Sequence, residues 1–187
     1  MREAPEAATS PRSKVLAAFA AVYTIWGSTY LAIRFANETL PPFLMAGVRF
    51  LIAGAVLYAW VRARGAPRPP REAWKHALVI GGLLLLGGNG GVVWAEQWVP
   101  SGVAALLVAC VPLWMVLLEW LRPGGTRPTL GTLIGVVVGF GGIVLLVGPG
   151  ELGGSGVHPL GAAALVAGSL AWSVGSIYSR GVPHPEP

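Results

Sequence analysis

Charge is scarce in this chain: 11% of its 187 residues are Asp, Glu, Lys or Arg, where a soluble domain carries about 25%. With 54% hydrophobic residues and a mean hydropathy of +0.65, it has too little polar surface to cover a water-soluble fold. A single cysteine, Cys110, sits inside an apolar run, which rules out an intrachain disulfide and leaves the redox compartment open. The three histidines, His76, His158 and His184, lie far apart, so no Cys/His spacing suits a metal. No lysine or histidine falls in the middle of an apolar run, which leaves Ser28 and Ser101 without a base and argues against an intramembrane hydrolase. Neither metal nor cofactor is implied.

What is abundant is uninterrupted apolar sequence. Six stretches, at 15–36, 42–61, 73–95, 101–121, 129–147 and 159–178, each approach the roughly 20 residues that cross a bilayer as a helix. Lipid offers backbone groups no hydrogen-bond partners, and a barrel would show short alternating strands, so the fold class expected is all-α. The chain reads as a polytopic helical membrane protein with six transmembrane helices. Residues 1–14 read as a disordered tail, and the first apolar run is longer than the h-region of a signal peptide.

Basic residues sort onto alternate connections. Arg2, Arg12 and Lys14 precede the first stretch, Arg62, Arg64, Arg68, Arg71 and Lys75 follow the second, Arg122 and Arg127 follow the fourth, and Arg180 follows the sixth. Connections 37–41, 96–100 and 148–158 contain no Lys or Arg. Basic loops stay cytoplasmic, so both ends of this sequence are expected inside a cell (plasma or inner) membrane. The formal charge of +5 therefore flanks spans instead of forming a stripe, and no nucleic-acid partner is expected.

An internal echo links the first and last stretches. Trp26-Gly27-Ser28 precedes Arg34 by the spacing with which Trp172-Ser173 precedes Arg180. Since the two stretches cross in opposite directions, a second unit beginning at the sixth would be inverted, as in many secondary transporters.

Several residues stand out inside the apolar runs. Arg49 lies about seven residues into the second, roughly 10 Å deep, where an arginine costs about 2.5–3.5 kcal/mol and should face protein or a wet cavity. It suits an anionic substrate group, or a pair with Glu96 or Glu38. Arg34, nearer its span's end, suits anchoring by snorkelling. Asn89 is set among Gly87, Gly88, Gly90 and Gly91, with Trp94, Glu96 and Gln97 beyond it, a polar face that would line the interior or bond a neighbouring helix. Trp26, Ser28 and Tyr30 offer aromatic and hydroxyl groups at mid-membrane, as a pocket for an organic molecule would need. Trp60, Trp74, Trp98 and Trp120 fall near span ends, where aromatic belts belong. Gly131, Gly135, Gly139 and Gly142 form a packing stripe, and Pro112 predicts a kink. Glu119, at its span's inner end, suits a paired surface carboxylate.

Taken in order, Ile25-Trp26-Gly27-Ser28-Thr29-Tyr30, Pro41-Pro42, Val48-Arg49-Phe50-Leu51, Gly88-Asn89-Gly90, Ala95-Glu96, Val99-Pro100-Ser101-Gly102-Val103-Ala104-Ala105-Leu106, Val111-Pro112-Leu113 and Gly139-Phe140-Gly141-Gly142-Ile143 resemble an EamA-type member of the drug/metabolite transporter superfamily, most of all its YedA-like exporter branch. The resemblance runs from residue 16 to about 180. It implies ten helices in two inverted five-helix repeats around a cavity for exported metabolites or drugs. On that pattern 15–147 is the first repeat and 148–187 the start of a second, cut short, so the partner would be a missing C-terminal half or a second copy in a homodimer of half-carriers. A non-transporting membrane scaffold is the alternative. Arg122-Pro123-Gly124-Gly125-Thr126-Arg127 departs from the Gly-Glu that many relatives carry there. The cavity residues expected are Trp26, Ser28, Tyr30, Arg49, Asn89, Trp94 and Glu96, with Trp172 and Ser176 from the second repeat. Lipid bilayer and a small-molecule substrate are the partners implied.

Overall fold

The computed structural model describes residues 12–146 and 158–183. The expected tail and the 148–158 connection lie almost wholly outside these. Among the described residues the fold is all-helical: α1 (Arg12–Asn37), α2 (Pro42–Ala63), α3 (Arg71–Ala95), α4 (Ser101–Leu121), α5 (Leu130–Leu146) and α6 (Pro159–Arg180). Five are long and apolar enough to cross a bilayer. α5 has 17 described residues, about 25 Å at 1.5 Å per residue, and it stops where the described stretch stops. The protein is a polytopic helical membrane protein.

Proline sets several of the starts. α2 and α6 each carry proline in their first turn, where the missing N–H is not needed and φ is already helical. Gly65 and Gly124, at φ 92° and 76°, turn the chain after α2 and α4 through backbone space that other residues enter at a cost. Both turns lie in basic connections; the exposed pair Lys75–Glu72 (2.9 Å) follows the first in the opening turns of α3, and the partly exposed pair Arg122–Glu119 (3.1 Å) precedes the second.

Two helices depart from regular winding. Residues Gly82–Asn89 of α3 form a π-helix, and the wide turn leaves the Leu84 carbonyl for the Asn89 side-chain amide, 3.2 Å away. α4 breaks into Ser101–Val108 and Val111–Leu121. Pro112 lacks the N–H that would continue the ladder, so Leu113 and Trp114 both bond the Cys110 carbonyl, at 2.9 and 3.1 Å. The Ser173 hydroxyl of α6 lies 3.2 Å from the Val111 carbonyl beside the break and 2.8 Å from the Ser169 carbonyl of its own helix, to which it donates at the shorter distance. The interruption expected at Pro112 is there.

α6 is the centre of the bundle, seated between α3 and α4. Its approach depends on glycine. A Cβ at Gly88 would come 2.7 Å from Trp172 Cε3, one at Gly168 would come 3.1 and 3.2 Å from the Gly87 and Gly88 carbonyls, and one at Gly161 would come 2.6 Å from Val99. The glycine stripe of α5 behaves otherwise. Gly139 faces Leu113 of α4, but Gly135 and Gly142 meet nothing within 4 Å. The small-residue packing expected of α5 thus belongs mainly to α3 and α6.

Burial is uneven along the membrane normal. The core joins Ile33, Ala46, Val92, Val93, Leu107 and Leu165, all in the halves of their helices next to the connections that lack Lys and Arg, with Val99 from one of those connections. Toward the basic connections, the first half of α3 and the second half of α4 bury nothing. There the outer faces of α1 and α2 expose Leu16, Phe19, Tyr23, Leu57 and Val56, the surface a lipid bilayer covers. Trp60, Trp74, Trp98 and Trp120 are likewise exposed near helix ends.

Candidate substrate cavity

Beneath the packed layer lies a half-open cavity of about 820 Å³. Volumes of roughly 300–1,000 Å³ suit small organic ligands. α1 presents Trp26, Thr29, Tyr30 and Ile33 to it, α2 presents Arg49 and Phe50, and α3 presents Gly88, Asn89 and Val92. The α4 break contributes Val108, Ala109 and Val111, and α6 contributes Gly168, Ser169 and Trp172. Each placement has a local cause. Trp26, Tyr30 and Ile33 share one face at spacings of four and three. The absence of a side chain at Gly88 lets Trp172 lie close against α3, and the interruption at Pro112 brings Ala109 and Cys110 inward.

The two tryptophans of the sequence echo meet here. Trp26 and Trp172 have ring centroids 6.5 Å apart at 52°, an aromatic pair from opposite sides of one wall. Arg49 has its guanidinium over the Phe50 ring, 4.6 Å from the centroid. It does not pair with Glu96 or Glu38, because the ion pairs among the described residues are the two near the basic connections. The cavity therefore combines an apolar, aromatic wall with one cation and the polar groups of Asn89, Thr29 and Ser169.

Of the nine residues expected from sequence, Trp26, Tyr30, Arg49, Asn89 and Trp172 line this cavity, and Ser28, Trp94, Glu96 and Ser176 do not. Ser28 turns its hydroxyl back to the Ile25 carbonyl at 3.0 Å. Trp94 packs edge-on to Trp98, centroids 4.8 Å apart. The Ser176 carbonyl accepts from Ser179 within its own helix at 2.8 Å. Glu96 is fully buried in the packed layer above the cavity. Arg34, expected to snorkel, instead donates from Nη1 to the Glu96 backbone carbonyl at 2.7 Å, and Asn37 Nδ2 donates to the Val93 carbonyl at 2.8 Å. Sequence reasoning missed Ser169. Its hydroxyl accepts from Trp114 Nε1 at 3.1 Å and lies 2.9 Å from Cys110 Sγ. Its position one turn before Trp172 on α6 was the available signal.

Comparison with known proteins identifies the family. Residues 12–148 match the EamA-like transporter family. The chain is 43% identical over 166 residues to the uncharacterized inner membrane transporter YedA of Escherichia coli K12, covering 88% of this chain and 53% of that one. It is 34% identical over 178 residues to the aromatic amino acid exporter YddG of Ancylobacter novellus, covering 91% and 59%. One crystal structure superimposes with a TM-score of 0.52 at 32% identity, over 86% of this chain and 60% of the other. The chain spans about half the length of the curated relatives it matches. With the family pattern running through α1 to α5, and YedA sharing more than two residues in five into α6, the chain belongs to the EamA-like transporter family, in the branch that contains YedA.

Proposed function

We propose that this chain forms the substrate-binding part of an inner-membrane carrier that exports a small organic metabolite or drug by alternating access. The observation that carries this reading is the cavity: apolar and aromatic on most sides, with Arg49 as its cation. The substrate class it suits is an organic acid with an aromatic or apolar body, whose carboxylate Arg49 orients while Trp26, Tyr30 and Trp172 pack the body. One relative is named an aromatic amino acid exporter, which lies within that class. Asn89 supplies an orienting hydrogen bond.

Charge supports the orientation. With basic residues at one end of the helices, the positive-inside rule puts Arg62–Arg71 and both termini of this sequence in the cytoplasm. The packed layer then closes the outer end of the cavity, and the state described is inward-facing. Residues 15–147 are the first five-helix repeat and 148–187 the beginning of a second, inverted one. Either a second half or a second copy of the chain closes the open side of the cavity.

Cells expressing the protein should release a labelled aromatic acid faster than cells lacking it. Arg49→Ala should weaken apparent affinity roughly 10- to 100-fold, as loss of a charged hydrogen bond does, with unchanged abundance in the membrane. Loss of abundance in step with efflux would make Arg49 a structural residue. Absence of any efflux advantage across a panel of organic acids would overturn the reading.

A further inference from the structure

The packed layer contains an electrostatic anomaly. Glu96 is fully buried, yet neither of its carboxylate oxygens has a hydrogen-bond partner, and Asn37 Oδ1, whose Nδ2 reaches the Val93 carbonyl one turn earlier on α3, is also buried without one. An ionised carboxylate only accepts, and so does an amide oxygen. Three buried acceptors where α1 meets the end of α3 therefore have no donor aimed at them. Arg34 could supply one, but its Nη1 goes to the Glu96 backbone carbonyl instead.

We propose that Glu96 is a proton-binding site built into the layer that closes the cavity, and that its proton decides how α1 is clamped to α3. The neutral carboxyl brings the missing donor and removes a charge from a buried site. In that state Arg34 stays on the Glu96 carbonyl and Asn37 on the Val93 carbonyl, which holds α1 against the end of α3. When the proton leaves to solvent, the carboxylate becomes the stronger acceptor for Arg34, because charge-assisted hydrogen bonds outcompete neutral ones. Arg34 then moves from the carbonyl to the side chain, Glu96 leaves its buried position, and the clamp rearranges. α1 carries Trp26 and Tyr30, so the rearrangement reaches the cavity wall.

The surroundings fit a proton better than a fixed ion pair. At the Glu96 end of the helices packed around it, the charged and titratable groups are Tyr30 and Arg34 of α1, Glu38 just after α1, Arg49 of α2 and His158 at the head of α6, and Ser101–Val108 of α4 carries none. No ion pair reaches the Glu96 carboxylate among the described residues. Glu96 follows the last residue of the α3 span, and burial pushes its carboxyl up to about 7, with the charge of Arg34 working in the opposite direction.

Infrared difference spectroscopy on the purified protein in lipid nanodiscs tests this directly, without requiring transport. Between pH 5 and 9 one protonated-carboxyl carbonyl band should disappear with a midpoint near 7, be missing in Glu96→Gln, and persist in Glu38→Gln and Glu119→Gln. Arg34→Gln should move the midpoint upward by roughly one pH unit, the lower end of what an opposite charge contributes; this variant keeps the test open if Glu96→Gln fails to fold. A transition that persists in Glu96→Gln, or a Glu96 already ionised at pH 5, overturns the proposal. So does a midpoint that moves when sodium replaces potassium, which would make the three oxygens a cation site. The coupling to the cavity rests on the carrier reading above. If cells show pH-dependent efflux that Glu96→Gln makes pH-independent, both stand. A normal titration with no efflux would remove the carrier reading and leave the proton site.

Discussion

The α3–α6 seam and the α1–α2 pair are built on different principles. In α6, 39% of the apolar stretch is buried, against 6% in α1 and in α2. The seam is backbone against backbone, with glycine carbonyls and α-carbons in near contact. α1 and α2 meet the rest through a thin apolar layer at one end and through the bonds from Arg34 and Asn37. In lipid no hydrophobic force distinguishes one apolar face from another, so close packing and buried hydrogen bonds decide which helices stay together. The seam is therefore the frame, and α1 and α2 are the parts free to move relative to it.

That contrast can be broken at its strong side first. Gly168→Leu places a branched side chain where even a Cβ would sit 3.1 Å from the Gly87 carbonyl. It should cost about 3 kcal/mol, the upper part of the overpacking range, seen as loss of monodisperse protein or of its thermal transition in detergent. Next comes pH. The Glu96 carboxyl is raised from 4.5 to about 7, so between those values the folded protein keeps a proton that the unfolded chain releases. The stabilisation is complete below pH 4.5 and is lost as pH climbs through 7. The thermal transition should therefore fall from pH 5 to pH 8, by the equivalent of at most about 3 kcal/mol, and the fall should vanish in Glu96→Gln. Arg34→Ala removes one charged hydrogen bond between α1 and α3 and should cost about 2 kcal/mol, with a larger rise in hydrogen exchange in α1 than in α6. Smallest of all, Gly47→Ala in α2 meets nothing within 4 Å and should be neutral or gain up to about 1 kcal/mol of helix propensity. A large loss there would mean that α2 packs as closely as α6 does.

The difference between the two regions also explains what the sequence could reveal. Length, apolarity and flanking charge determine that a segment is a spanning helix, and Pro42, Ser101 and Pro159 mark starts, so all six helices were legible to within a few residues. Trp26 and Trp172 were legible because the echo puts two large aromatics at matching depth. Which way a helix faces was not. When every face is apolar, periodicity carries no azimuth, so the tidy glycine spacing of α5 looked like a contact, while Gly161, Gly168 and Gly175 of α6, seven apart, were overlooked. Arg34 reads as a snorkelling surface anchor because its depth along the sequence is shallow, and Glu96 reads as a cavity residue because it shares a polar face with Asn89. Their partners come from another helix, and only the packed bundle brings Arg34 to the Glu96 carbonyl.

Substrate protection of a cavity cysteine tests the central claim most directly. With Cys110→Ser as background, Thr29→Cys should react with a water-soluble maleimide in membranes, and a saturating aromatic acid should slow that reaction by about tenfold or more, as occupancy near 90% or above requires. Leu145→Cys, exposed on α5, should be unaffected by the acid. Equal labelling of Thr29→Cys with and without every organic acid tested would contradict a substrate site between α1 and α6.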